Sequence, residues 1–176
     1  MIKAFYYFLN KLKPSEIKER NIVEEIPIIP NEVSDEENVV RAIFEPNDIA
    51  KKTNTLKYIA FRSPPERDEV SVTRLQYSTP TFCKSHAKSI NRQGANYFGL
   101  AVINVLEIRN TEINGDVVST PMESNPAHAD IKIGFIPLKG EQLPSEIRYR
   151  LDKLADKARL YPDNNKEISE WIGDLK

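Results

Sequence analysis

The sequence has little cysteine, histidine and glycine. Cys83 is its only cysteine, and His86 and His128 are its only histidines. A single cysteine excludes a disulfide within the sequence, and so few sulfur and imidazole ligands disfavour a zinc site. The six glycines form neither G-x-G-x-x-G nor G-x-x-x-x-G-K-[ST], the glycine patterns of dinucleotide-binding and P-loop folds. We therefore expect no metal and no cofactor.

The sequence also lacks an excess of either charge. It contains 25 lysines and arginines against 26 aspartates and glutamates, a net charge of −1, and the two signs are interspersed. Proteins that bind nucleic acid mainly through its phosphates usually carry a basic excess, so the net charge does not indicate a nucleic-acid partner. The single cysteine is typical of a reducing compartment, and we expect a cytoplasmic protein.

Long hydrophobic runs are lacking as well. The apolar run from Ala4 to Leu9 is too short to cross a bilayer, and no small-residue cleavage site follows it. We expect no membrane contact and interpret residues 2–12 as an amphipathic helix that stops at Pro14. We predict that residues 1–37 form an N-terminal helix and an acidic extended arm. Residues 38–176 form the core, and the two parts make one cooperative domain.

Strand patterns occupy the middle of the sequence. The segment "EVSVTRLQY" alternates, so that Val70 and Ser71 face opposite sides. The dipeptide Asn114-Gly115 is a turn signal and predicts a hairpin over residues 100–119. The predicted strands are residues 38–46, 56–61, 69–77, 97–109, 116–120 and 129–137.

Helix patterns lie between and after these strands. A preceding Ser/Thr and a following Gly94 predict a capped helix whose body runs from Lys84 to Arg92. Residues 144–162 carry an apolar stripe and predict a second helix, and residues 166–175 predict a short last helix. This order predicts a single α+β domain with a mainly antiparallel or mixed sheet, flanked by N- and C-terminal helices.

His128 is the first candidate site residue, in "TPMESNPAHADIKIGF". An imidazole exchanges a proton near neutral pH, and Asp130 lies on the same side of a strand, where its carboxylate can orient the ring. Glu123 and Asn125 can approach from the loop. Alternatively, His128 donates to a backbone carbonyl and Asp130 accepts from a loop amide, so that both only brace the loop.

A second candidate is the arginine-rich stretch from Arg62 to Arg74. Arg62 and Arg74 suit recognition of a phosphate or carboxylate group, and Ser71 adds a hydroxyl. The alternative is a salt-bridged edge strand approached by two prolines.

Cys83 and His86 form a third candidate. Their spacing of three residues places them close together on a helix, where a histidine can activate a thiolate. The alternative interpretation is a solvated basic helix face, formed by Lys84, Lys88 and Arg92.

The order of several segments resembles a group of small, mostly uncharacterised bacterial proteins. "DEVSV", "GLAVINVLEIR" and "NPAHADI" carry the resemblance, which covers residues 41–135. It implies no assigned activity, and it draws attention to Phe61, Ser71, Asn125, Pro126 and His128.

A second resemblance is to ADP-ribosyltransferase-like folds. Arg41 in "VVRAIF" is similar to their first-strand arginine, and Ser78 in "YSTPTF" to their serine strand. The sequence departs from the family at the catalytic glutamate, because neither Glu107 nor Glu123 lies in the expected motif.

Two functions are expected from these features. In the first, the chain is a small cytoplasmic accessory protein that binds protein partners, as part of a multi-protein defence or mobile-element system. In the second, it is an enzyme acting on a phosphate-containing substrate such as a nucleotide, nucleic acid or NAD. His128 is then the acid/base, Asp130 orients it, and Arg62, Ser71, Arg74 and Asn125 bind the substrate.

Overall fold

The computed structural model describes residues 28–90 and 92–176. The predicted N-terminal helix over residues 2–12 lies outside the described residues. The described chain forms a six-stranded antiparallel sheet in the order β6-β7-β4-β1-β5-β8 and a two-stranded ribbon, β2-β3. The strands are β1 (Asn38–Glu45), β2 (Ile49–Ala50), β3 (Thr55–Leu56), β4 (Val70–Arg74), β5 (Asn96–Asn104), β6 (Asp116–Ser119), β7 (His128–Lys132) and β8 (Arg159–Pro162).

Three α-helices accompany the sheet in the described residues: α1 (Pro80–Ser89), α2 (Val105–Arg109) and α3 (Ser145–Lys157). This architecture confirms the prediction of a single α+β domain with a mainly antiparallel sheet. In the same part of the chain, no helix has the length and hydropathy needed to cross a membrane.

The central strands are apolar on both faces because both faces are covered. Val39 and Ile43 of β1 enter the larger core cluster, whereas Val40 enters a smaller one on the opposite face. In β5, Ala101 likewise enters the larger cluster and Leu100 the smaller one. We call these the α3 face and the α1 face, after the helix that packs on each.

The α3 face carries most of the core. Ile147, Leu151 and Leu154 repeat at helical spacing and pack with the strands. Phe61, which is fully buried, and the 3₁₀ turn Tyr58–Phe61 lie beside them. Val33 joins the same cluster, so the segment before β1 is packed against the core.

The α1 face is covered by α1 and by the C-terminal segment. Cys83 and Ala87 pack against Val40 with Leu100 and Val102, and Leu175 joins this cluster. Lys84 is completely buried, and its Nζ donates to the carbonyl oxygens of Asn165 and Glu170 and forms a 2.9 Å ion pair with Asp163.

β1 and β4 separate in the middle of the sheet. In the described structure their pairing consists of Val39 with Arg74 and Val40 with Thr73, although β1 continues to Glu45 and β4 begins at Val70. We call this separation the ladder gap. The Arg41 side chain lies there and donates from Nη1 to the Ser71 carbonyl oxygen at 2.7 Å.

The predicted hairpin over residues 100–119 is wrong. β5 pairs with β1 and β8, and β6 pairs with β7 across the loop that precedes His128. The predicted strand 97–109 ends at Asn104, whose side chain accepts from Leu106 N and starts α2. Alternation along one strand does not determine which strand it pairs with. Asn104 caps a helix and so ends the strand, although the residues that follow remain apolar.

Four further element predictions are wrong in detail. The helix predicted over residues 144–162 ends at Lys157, and Arg159–Pro162 forms β8, which pairs with β5. α1 begins at Pro80 because Thr79 Oγ1 caps Phe82 N and proline is favoured at the first helical position. Residues 56–61 form the end of β3 and a 3₁₀ turn rather than a strand. Residues 166–175 contain no helix in the described chain, and the carbonyl oxygens of Lys166 and Glu170 accept from Lys88 and Lys84.

Candidate functional site

Both histidines line one small cavity. It has a volume of about 40 Å³ and lies between α1 and the polar side chains of β4 and β7. We call it the histidine cavity. Its lining residues are Val40, Arg41, Ala42, Ser71, Val72, Thr73, Cys83, His86, Ala87, Ile90, Leu100, Asn125 and His128.

Strand pairing brings the polar residues of this cavity together. Thr73 of β4 is the register partner of His128 in β7, and Ser71 is the partner of Asp130. Directly opposed residues of an antiparallel pair lie on the same face, while the intervening Val72 points into the core of the α3 face. His86 comes from α1, which lies over the α1 face.

Hydrogen bonds fix the protonated nitrogen of His128. Its Nδ1 lies 2.9 Å from the carbonyl oxygen of Thr120 and 2.9 Å from the Thr120 hydroxyl. A carbonyl oxygen only accepts, so Nδ1 carries the hydrogen. In the neutral ring Nε2 is therefore an acceptor, free for proton exchange.

Asp130 acts on His128 through Thr120. The Thr120 hydroxyl donates to Asp130 Oδ2 at 2.7 Å, so its oxygen accepts from the imidazole. The carboxylate is thus placed behind the ring, separated from it by one hydroxyl. The sequence predicts direct orientation by Asp130. It does not reveal the connecting Thr120, which follows the end of the neighbouring strand β6.

Asn125 is fully buried beside the histidine cavity and has one unused polar atom. Its Nδ2 donates to Thr73 Oγ1 at 2.8 Å, and its Oδ1 has no hydrogen-bond partner within the described part of the chain. Exchanging the two ends of the amide leaves Nδ2 unpaired instead. Either assignment leaves one buried polar atom that a ligand can satisfy, and native proteins contain few such atoms.

Arg41 forms the floor between the histidine cavity and a second, open depression. In addition to its bond to the Ser71 carbonyl oxygen, the guanidinium group donates from Nε to the Ala60 carbonyl oxygen at 3.2 Å. Its Nη2 has no partner among residues 28–90 and 92–176. Burial lowers the pKa of Arg41 to about 10; Asp48 opposes this shift and Arg92 adds to it. The group stays cationic at neutral pH.

The open depression is the arginine groove, with a volume of about 610 Å³. It contains four arginines and two glutamates, and it shares Arg41 and Ser71 with the histidine cavity. Arg62 donates to the Glu141 carbonyl oxygen at 3.1 Å, while Arg67 is largely exposed. The full lining is Arg41, Ile59, Arg62, Ser63, Pro64, Pro65, Arg67, Glu69, Ser71, Arg92, Gly140 and Glu141.

Arg74 lies apart from both depressions. Its Nε and Nη2 each bind a carboxylate oxygen of Glu37 at 2.7 Å, and its other donors bind the carbonyl oxygens of Pro30 and Glu32. Arg74 is fully buried. These contacts fasten the segment before β1 to the sheet and leave Arg74 no donor for an anion.

Cys83 and His86 do share the histidine cavity, but the thiol is poorly suited to nucleophilic attack. Burial raises the pKa of Cys83, which opposes thiolate formation. Burial lowers the pKa of His86, and the charge of His128 lowers it further. The His86 ring stacks on Phe82 with 5.8 Å between ring centroids.

Other sequence candidates lie elsewhere. Glu123 is exposed and lies outside the cavity lining, and Glu107 binds Lys157 at 2.9 Å. Ser78 does not line the histidine cavity with Arg41, so the residues that resemble the ADP-ribosyltransferase pattern do not converge. In the described part of the chain, no group of three or more His, Cys, Asp or Glu residues is placed to hold a metal ion.

We found no family model, curated protein or solved structure that matches this chain. The resemblance to the bacterial group with the "DEVSV" and "NPAHADI" segments therefore stays an expectation. Of its residues, Ser71, Asn125 and His128 line the histidine cavity, whereas Phe61 is a core residue.

Proposed function

We propose that the protein is an enzyme acting on a phosphate-containing substrate, with His86 and His128 as proton-transfer residues. One observation carries this proposal: the only two histidines of the sequence, on different elements, line the same small cavity. If His128 only held its loop in place, no second histidine would be needed, and the imidazole of His86 on α1 would not contribute. Paired imidazoles supply both an acid and a base.

The arginine groove indicates the substrate. Four arginines line the groove beside the cavity. Arg92 is paired with Asp48 at 2.8 Å, and the other three favour a phosphate group, because guanidinium groups bind phosphate oxygens through charge-assisted hydrogen bonds. Arg41 lies at the junction and neutralises charge that develops on a phosphoryl group in the transition state. The cavity itself accommodates the reacting oxygens rather than the whole substrate.

The proposed step is phosphoryl transfer to an attacking hydroxyl group. The hydroxyl oxygen forms a bond to phosphorus, and the ester bond between phosphorus and the leaving oxygen breaks with its electron pair on that oxygen. His86, whose lowered pKa keeps its ring neutral at pH 7, accepts the proton of the attacking hydroxyl. His128, protonated at Nε2, donates a proton to the leaving oxygen.

Substitution of the two histidines tests this function. With diphenyl phosphate and phenyl phosphate as probes, whose leaving oxygen departs poorly unless it is protonated, and with water as the attacking group, we expect release of phenol by the unmodified protein. His128→Gln and His86→Gln should each reduce the rate about 100-fold or more, the usual contribution of a positioned acid or base. Cys83→Ser is the matched control within the same cavity and should retain activity.

The following outcomes contradict the proposal in whole or in part. One is a His128→Gln protein that is folded by NMR and cleaves the probes at the original rate. The other is the absence of cleavage together with imidazole resonances that do not respond to inorganic phosphate or pyrophosphate. Phosphate binding without cleavage would retain the anion site and overturn the catalytic role.

A second candidate function is protein binding, as in an accessory protein of a multi-protein system. Exposed apolar side chains favour it, namely Ile28 before β1 and Ile136 and Leu138 after β7. Leu175 and Trp171, by contrast, pack on the α1 face. Once a partner protein is identified, Ile136→Ser combined with Leu138→Ser should weaken the complex, and His128→Gln should not.

A further inference from the structure

A third depression, the ring groove, shares Asn125 with the histidine cavity and shares no lining residue with the arginine groove. It has a volume of about 310 Å³ and is mainly apolar. Two aromatic rings, Tyr77 and Phe82, contribute to its wall. The complete lining is Tyr77, Ser78, Thr79, Phe82, Asn125, Pro126 and Ala127.

Shared residues place the three depressions in a row. Asn125 lines both the ring groove and the histidine cavity, and Arg41 and Ser71 line both the histidine cavity and the arginine groove. The histidines therefore lie between a basic depression and an aromatic one. A substrate that reaches both presents its central atoms to the imidazoles.

The aromatic rings leave room for a planar ligand. Arg74 covers one face of Tyr77, with 4.6 Å from its guanidinium carbon to the ring centroid, and Phe82 stacks one face on His86. Both rings also line the ring groove. Stacking on aromatic side chains is a general mode of binding nucleobases.

Asn125 adds a polar contact at the same boundary. Asn125 lines both the ring groove and the histidine cavity, and its buried Oδ1 has no partner among the described residues. Nucleobase edges carry hydrogen-bond donors and acceptors that an asparagine amide recognises. A purely apolar occupant of the ring groove would leave this atom unsatisfied.

We propose that the substrate is a nucleotide, with its base in the ring groove, its phosphate in the arginine groove and its phosphoester bond at the histidines. In a nucleotide the ester bond lies between base and phosphate, in the same order as the three depressions. This inference rests on the proposed function, since it names the substrate class of the same site.

Binding measurements by calorimetry test the inference with three probes: ribose 5-phosphate, a nucleoside, and the corresponding nucleoside 5′-monophosphate. The four common nucleotides are each compared. We expect at least one nucleotide to bind about tenfold or more tightly than ribose 5-phosphate, in line with the usual contribution of base stacking. The nucleoside alone should bind more weakly than the nucleotide.

Matched substitutions locate the two ends of the ligand. Phe82→Leu should weaken nucleotide binding and leave ribose 5-phosphate unaffected, whereas Arg62→Ser should weaken both. Phe98→Leu is the control, since Phe98 packs on the α3 face and lines none of the three depressions. NMR spectra of each variant establish that it is folded.

The outcomes separate this inference from the proposed function. If every nucleotide binds no better than ribose 5-phosphate and Phe82→Leu changes nothing, the nucleotide assignment is overturned and the phosphate site stands. If no phosphate-containing probe binds, the proposed function fails as well. If the nucleoside binds as tightly as its nucleotide, the arginine groove does not hold the phosphate and the inference is wrong.

Discussion

Thr120 sets which ring nitrogen of His128 carries the hydrogen and connects that ring to a carboxylate. Its carbonyl oxygen and hydroxyl both lie 2.9 Å from Nδ1, and its hydroxyl continues the contact to Asp130. The carbonyl fixes the tautomer, and the hydroxyl connects the ring to a carboxylate. The sequence does not reveal this connection, because Thr120 and His128 meet only when β6 pairs with β7.

The neutral His128 ring should therefore be the Nδ1–H tautomer. Long-range ¹H–¹⁵N spectra of the protein near pH 8 distinguish the two tautomers by their nitrogen shifts. We expect the Nδ1–H pattern for His128, and we expect it to persist in Thr120→Ser, which keeps both the carbonyl and the hydroxyl. An Nε2–H pattern in the unmodified protein would contradict the assignment of His128 as an Nε2 acid/base.

His86 should titrate below the ordinary histidine value of about 6.5. Burial is the first cause of its lowered pKa, and the charge of His128 is the second. His128→Gln removes the second cause only, so the His86 midpoint should rise but stay below that of free histidine. An NMR pH titration of the ring protons measures both midpoints, and an unchanged midpoint in His128→Gln would show that the two rings do not interact.

At the scale of elements, contacts with the C-terminal segment help to hold α1 on the sheet. Lys84 directs its ammonium group to the carbonyl oxygens of Asn165 and Glu170 and to Asp163, all within 3.1 Å. Thr81 Oγ1 accepts from Trp171 N in the same region. Because α1 carries His86, these contacts determine where the second imidazole lies.

Lys84→Met should lower the free energy of unfolding by about 3–5 kcal/mol, since it leaves Asp163 as a buried charge without its partner. Urea denaturation followed by circular dichroism measures the change. Lys88→Met is the matched control one turn later. It removes a single exposed hydrogen bond, to the Lys166 carbonyl oxygen, and should cost about 1 kcal/mol or less.

The double variant Lys84→Met, Asp163→Asn checks the cause of this loss. Without the buried negative charge, part of the stability lost in Lys84→Met should return. A double variant that is less stable than Lys84→Met by the full effect of the second substitution would mean that the two side chains do not interact.

At the scale of the whole molecule, the near-zero net charge conceals a local concentration of arginines. Four of them line one groove although the chain carries −1 overall. The net charge does not indicate a nucleic-acid partner for this reason, and only the folded structure brings Arg41 and Arg92 beside Arg62 and Arg67.

Phosphate binding in the arginine groove should weaken as ionic strength rises, because salt screens exposed charges over about 8 Å at physiological ionic strength. Inorganic phosphate is titrated calorimetrically at low and high sodium chloride. Arg62→Ser with Arg67→Ser should weaken binding and reduce the salt dependence. Arg159→Ser, outside the groove on β8, should change neither.

Much of the fold follows from local patterns, and most of the site does not. The strand at Asn38–Glu45 and the helix over Ser145–Lys157 were predictable from their apolar spacing. The hairpin prediction was wrong because strand partners are chosen by nonlocal packing. For the site, His128 and Asn125 stand close together in the sequence, whereas Arg41 reaches it from another strand.

The ladder gap has a consequence for how the sheet moves. Because β1 and β4 share only two residue pairs, backbone pairing joins two leaves of the sheet, β6-β7-β4 and β1-β5-β8, over a short stretch only. Core side chains and the Arg41 guanidinium group supply the other contacts between them. Amide hydrogens along the open edge of β1 should exchange with deuterium sooner than those in the paired interior of each leaf. A ligand seated against Arg41 would bridge the leaves, and its arrival should be visible as slower exchange along that edge.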